Sequence, residues 1–283
     1  MTIDNAPDNA PSNSASRQEA LAAIAAFGQS TVPSLWPHLD KQKLVAEMRS
    51  RVNDPFKVNQ GKQPFCGPAS ILFELVRKQP LRYVQICRDL FEQGGFQAKT
   101  KQINASTRLR QESKGDLQMG QADWLVLATL RDAENLLFPV DPDAPEIMRN
   151  LSGMTKSWEM KGWVREILGY KRVKYDHTYL LGDVGALRNA AQVIETGGVA
   201  FMLVTADGLL GQATPRKEEL PVALPNHWIT LISNVAIQKG TFGRHDSGHV
   251  SFDIFTWAKK MHVDTGEGPF ERFLWGIVTG QAT

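Results

Sequence analysis

Two kinds of apolar periodicity divide this chain, and they follow one another in sequence order. Up to about Thr196 most apolar residues recur at helical spacing. Leu44, Val45 and Met48 mark a helix over Asp40–Arg51, which Asp54-Pro55 ends. Ile71, Leu72, Leu75 and Val76 mark another over Pro68–Arg77. Further helices are predicted over Arg17–Phe27, Leu81–Gln93, Asp123–Asn135, Thr155–Tyr170 and Asp183–Thr196. Gly94-Gly95 and Gly197-Gly198 supply two of the stops. After Gly198 the pattern shortens to strands: Val199–Thr205, His227–Ser233, Val250–Trp257 and Phe273–Val278. Helices first and strands later predict an α+β fold rather than alternating α/β. Residues 97–121 are polar and read as a long loop.

The N-terminal residues 1–16 hold Asp, Asn, Pro and Ser with little to pack, and are expected to be a disordered tail before one domain over 17–283. They carry neither a basic n-region nor an apolar h-region, so export, if it occurs, is expected without a cleaved Sec signal. No apolar run is long enough to span a bilayer. A formal net charge of +2 argues against a dedicated nucleic-acid binder. The chain has only two cysteines, Cys66 and Cys87, which excludes a disulfide scaffold and a cysteine-built zinc site.

Cys66 follows a Gly/Pro loop and opens the strongest amphipathic helix, in NQGKQPFCGPAS. Unpaired N–H groups and the macrodipole at a helix start stabilise a thiolate, so a lowered pKa is expected. Gly67 is expected to leave room for a substrate backbone. Cys87 lies mid-helix and is assigned to the core. Among six histidines, His227 opens the apolar strand NHWITLIS, a fixed and partly dry place that suits a general base. Asp253 is the one acid inside the strand VSFDIFTW and is the expected partner of the second imidazole nitrogen, with Asp246 and Asp264 as alternatives. Gln60 or Gln63, with the Cys66 N–H, could bind a developing oxyanion. A metal reading of His245, Asp246 and His249 is weak, and no cofactor motif is present.

The order Gln60, Cys66, His227, Asp253 resembles that of papain-like cysteine peptidases, in which a Gln six positions before the nucleophile completes the oxyanion hole. That family keeps its third residue in an Asn-Ser-Trp-Gly stretch. Here Phe255-Thr256-Trp257-Ala258 stands in that place, with Phe at the amide position. The runs CGPASILFELVRKQPLRYVQICRDLFEQG, DWLVLATLRDAEN and PNHWITLIS are similar to papain-like domains of bacterial toxins and secretion-system effectors. The resemblance implies a papain-like fold and a protease or glutamine deamidase acting on a protein or peptide in a target cell. It also implies synthesis in a bacterial cytoplasm, and an immunity protein or secretion chaperone as possible partners. The alternatives are a peptidoglycan amidase with the same triad, and a catalytically inactive binding module using the loop 97–121.

Overall fold

A computed structural model describes residues 10–111, 118–137, 155–178, 184–210, 224–238 and 248–282. The N-terminal helices are α1 (Ala10–Gln29), α2 (Lys41–Asn53), α3 (Cys66–Lys78) and α4 (Pro80–Gln93). Next come a short hairpin, β1 (Gly95–Gln97) with β2 (Gln102–Asn104), and the helices α5 (Thr107–Gln111), α6 (Gln121–Leu137) and α7 (Ser157–Glu166). The C-terminal part holds β3 (Arg172–His177), α8 (Val184–Glu195), β4 (Val199–Val204), α9 (Ala206–Leu209), β5 (His227–Gln238), β6 (His249–Thr256), β7 (Lys259–Gly266), α10 (Glu267–Phe273) and β8 (Leu274–Gln281). The architecture is α+β, with helices in the N-terminal part and an antiparallel sheet in the C-terminal part.

The main sheet runs β3-β8-β4-β5-β6-β7, every neighbour antiparallel. Its two faces bury different sets of side chains. Phe201, Leu203, Trp228, Phe255 and Val278 join the helical core, while Met202, Ile229, Ile254 and Ile277 pack under α8 and α10. This alternation is what a strand covered on both sides demands. The helices are stitched together by buried polar links as well as apolar ones. Asp40 caps α2 by accepting the Lys43 N–H, and Gly94 closes α4 in the left-handed region at φ 73°.

Three expectations change. Helix α1 begins at Ala10, so the residues 10–16 assigned to the tail belong to it, while residues 1–9 lie outside the described ones. Ala20, Ile24 and Phe27 bury its inner stripe, and Phe27 meets Phe91 of α4 edge to face at 5.5 Å. The polar stretch 97–121 is not a plain loop: it contains β2 and α5, and Ile103 and Leu109 are buried. Strands β3 and β7 were missed, and both are sheet edges rich in charge. Edge strands carry Lys and Arg that discourage further pairing, which also erases the apolar alternation that reveals a strand.

Among the described residues no helix is long and apolar enough to cross a membrane.

Candidate active site

Cys66 is the first residue of α3, and Phe65 before it offers no side-chain cap. The early N–H groups of a helix lack intrahelical partners, and here two backbone donors reach the thiol: those of Gly67 and of Trp228. Trp228 is the residue after His227, so the start of α3 and the start of β5 meet at the sulfur. Phe255, at the end of β6, lies flat on Phe73 of α3 with ring centroids 3.9 Å apart and an interplanar angle of 3°. Phe255 is therefore a packing bolt between helix and sheet.

His227 is buried, and its Nε2 is hydrogen-bonded to Thr256 Oγ1 at 2.6 Å. The Trp257 indole stacks over the imidazole at 4.8 Å. Asp253 does not reach this histidine. Register sets it opposite Ser233, six residues along β5 from His227, or about 20 Å of extended strand. Its carboxylate instead binds His262 Nδ1 at 2.7 Å, Lys260 Nζ at 2.8 Å and Asn234 Nδ2 at 2.6 Å. Against burial, which pushes that carboxyl up, these bonds hold it below its usual value. Thr256, three residues on, occupies the place expected of Asp253. Asp264 pairs with His249 at 2.5 Å, while Asp246 and His245 lie outside the described residues. No cluster of His, Cys, Asp and Glu with metal-binding geometry occurs among the described residues.

The loop before Cys66 is held by a chain of hydrogen bonds. Asp123 of α6, buried and paired with Arg51 of α2, accepts the Asn59 N–H at 3.3 Å. Asn59 Oδ1 accepts the Gly61 N–H, and Gln60 Nε2 donates to the Gln63 carbonyl at 3.0 Å. Gly61 takes φ 61°, which a residue without a Cβ adopts freely. Gln60, Cys66, Thr256 and Trp257 line one small crevice, and Gln63 is not among its lining residues.

Two expectations about Cys66 change, one through burial and one through the space beside Gly67. Burial pushes its thiol up, outweighing the Trp228 and Gly67 N–H groups that pull it down, and the Glu134 carboxylate pushes it further up. The helix start therefore does not yield a standing thiolate. Burial also lowers His227 to about 4. Thiol and imidazole are both neutral near pH 7. The space beside Gly67, expected for substrate, is taken by Thr155, whose hydroxyl a Cβ at Gly67 would overlap. Thr155 donates to Glu134 Oε1 at 2.7 Å, Trp163 Nε1 donates to the same oxygen, and the Thr155 carbonyl accepts Trp228 Nε1 at 2.8 Å. Thr155 thus clasps α3, α6 and β5 together. Cys87 is buried in the core, and burial raises its thiol well above the usual range.

No protein-family model matches the sequence, and no curated protein is significantly similar to it.

Proposed function

We propose that the protein is a cysteine-dependent amide hydrolase of papain-like type. The observation that carries this reading is the meeting of Cys66, at a helix start, with the strand start that bears His227, beside Gln60. Cys66 attacks the carbonyl carbon as His227 takes the thiol proton, so no prior ion pair is needed. Nδ1 acts as the base. Nε2 then carries the hydrogen, and the Thr256 hydroxyl accepts it, fixing tautomer and ring plane. The imidazolium returns the proton to the leaving amine. The Cys66 N–H and the second amide hydrogen of Gln60 are the candidate oxyanion donors.

The motif resemblance supports a protein substrate in a target cell and origin as a bacterial effector or toxin. Expression of the wild type against Cys66→Ala in bacterial and eukaryotic hosts tests both points. Toxicity confined to the wild type is the expected result, and equal behaviour of the two proteins rejects a thiol-dependent toxin.

The burial of both Cys66 and His227 favours, as second reading, a papain-like binding module without activity. His227-dependent alkylation of Cys66 separates the two. Loss of at least about tenfold in rate in His227→Ala supports the hydrolase, and an unchanged rate supports the module.

A further inference from the structure

Away from Cys66, the N-terminal helices enclose a cavity of about 640 Å³. Pockets that hold small molecules run from about 300 to 1,000 Å³. Helix α1 forms one wall, and the end of α2, the short turn Pro55–Lys57, the end of α3 and the start of α4 form the others. Val76, in this cavity, stands ten residues along α3 from Cys66, or about 15 Å. The cavity is therefore separate from the thiol and its crevice.

Its lining is divided by chemistry. Leu21, Val52, Pro55, Val76 and Pro80 give it an aliphatic surface, and no aromatic ring is among its described lining residues. Val52, Val76 and Pro80 are buried. Arg17 and Arg77 add two guanidinium groups, and no acid is among the described lining residues. Arg77 shares its charge with the buried Glu74, at 2.9 Å. Arg17 is exposed, and its Nη2 donates to the Asn53 carbonyl at 3.1 Å and to Asn53 Oδ1 at 2.9 Å. Among the described residues no carboxylate pairs with Arg17, and its Nε and Nη1 make no hydrogen bond.

We propose that this cavity binds a medium-chain fatty acid, with its carboxylate on Arg17 and its hydrocarbon chain against the aliphatic walls. The inference is independent of the hydrolase reading. Charge-assisted bonds from a guanidinium to a carboxylate are stronger than neutral ones, and at an exposed arginine the head keeps much of its water. The tail gains from every methylene that leaves water. An alkylammonium head would meet two like charges instead. A flat aromatic ligand finds no ring to stack on. A peptide ending in a free carboxylate would bring main-chain amides into a space walled by helices. Helix backbone groups already bond one another, so the Gln18 and Asn53 side chains would have to meet those amides.

The test titrates the full chain with octanoate, decanoate, octanol and octylamine, following the methyl NMR signals of Leu21, Val52 and Val76 and measuring Kd by calorimetry. Decanoate is expected to saturate these shifts with a Kd of about 1 mM or below. Octanoate should bind about tenfold more weakly, the effect of two fewer buried methylenes. Octanol and octylamine should each be at least tenfold weaker than octanoate. Arg17→Gln should weaken decanoate at least tenfold, and Arg17→Lys, which keeps the charge, should hold it within about threefold. Gln18→Trp, which fills the space from an exposed helix position, should abolish binding with the thermal midpoint unchanged. Octanol as tight as octanoate, or decanoate unaffected by Arg17→Gln, overturns the anion site. Shifts confined to other methyl groups, or no saturable binding, overturn the cavity as its location. Tighter binding of an acetylated dipeptide ending in leucine than of decanoate overturns the fatty acid in favour of a peptide terminus.

Discussion

His227 and His262 lie on the same sheet with opposite surroundings. His227 is 6% exposed and bonds a neutral hydroxyl, whereas the His262 side chain is 54% exposed and bonds the Asp253 carboxylate. The Asp253 carboxylate also pairs with the half-exposed Lys260 ammonium at 2.8 Å, where water is at hand. In a dry site the same pair would carry a desolvation cost that its attraction need not recover. A hydroxyl orients a buried ring without importing charge. The sheet therefore places its strong ion pair far along the strand from His227, and a neutral hydrogen bond on His227 itself.

The comparison breaks first at Cys66 and His227. If the dry histidine is the functional one, Cys66→Ala and His227→Ala each remove amide hydrolysis by about a thousandfold or more, measured as ammonia or amine release. His262→Ala leaves it within about threefold. Next in size is the orienting partner. Thr256→Val, which keeps shape and loses the hydroxyl, is expected to cost about 100-fold in rate. Asp253→Asn leaves the rate nearly unchanged and lowers thermal stability instead. A larger loss in Asp253→Asn than in Thr256→Val reverses the assignment.

Titration sharpens the same contrast. The folded pKa of His227, about 4, lies below its ordinary value of 6.5. Stability from the neutral ring is then fully present above pH 6.5 and is lost as pH falls through 4. Its size is about 3 kcal/mol at most. Denaturant melts between pH 7 and 4 should show a shallower acid loss in His227→Gln, and parallel curves would reject the dry site. Asp123 runs the other way, since burial raises it to about 6 despite the Arg51 bonds, and the native state gains protons as pH drops. The difference between wild type and His227→Gln isolates the histidine. In kinetics, a neutral Cys66 thiol assisted by neutral His227 predicts an alkylation rate that is flat between about pH 5 and 8 and climbs above it, the flat arm being lost in His227→Ala.

Much of the helix-then-sheet plan is legible because buried stripes repeat at 3.6 and 2.0 residues. Cys66, His227 and Gln60 are legible for a related reason: each stands where an apolar element begins or a loop turns into one. Thr256 was not. It lay in view in Phe255-Thr256-Trp257, but choosing it over Asp253 needs the β5–β6 register, with Thr230 opposite Phe255. Bulges on that ladder shift the register twice, and no sequence pattern reports them. The thiol pKa was misread because the helix-terminus effect is visible in sequence and burial is not. The edge strands were hidden by their charges, and Thr155 by the ordinary look of a lone threonine.

The turn between β6 and β7 has a consequence for selection. Trp257 and Ala258 both take positive φ, at 47° and 58°, in a two-residue connection where Thr256 pairs with Lys259. Such turns ordinarily use Gly, Asn or Asp, and an L side chain there costs about 1–2 kcal/mol per residue. Pairing along β7 offsets the cost, and the side chains leave the tip few other conformations. Heat selection acting on stability alone would therefore find Ala258→Gly early, with a gain below about 1 kcal/mol seen as a slightly higher Tm. The variant would also let the Trp257 indole wander from the imidazole. Hardier chains with slower chemistry are the expected outcome of that screen.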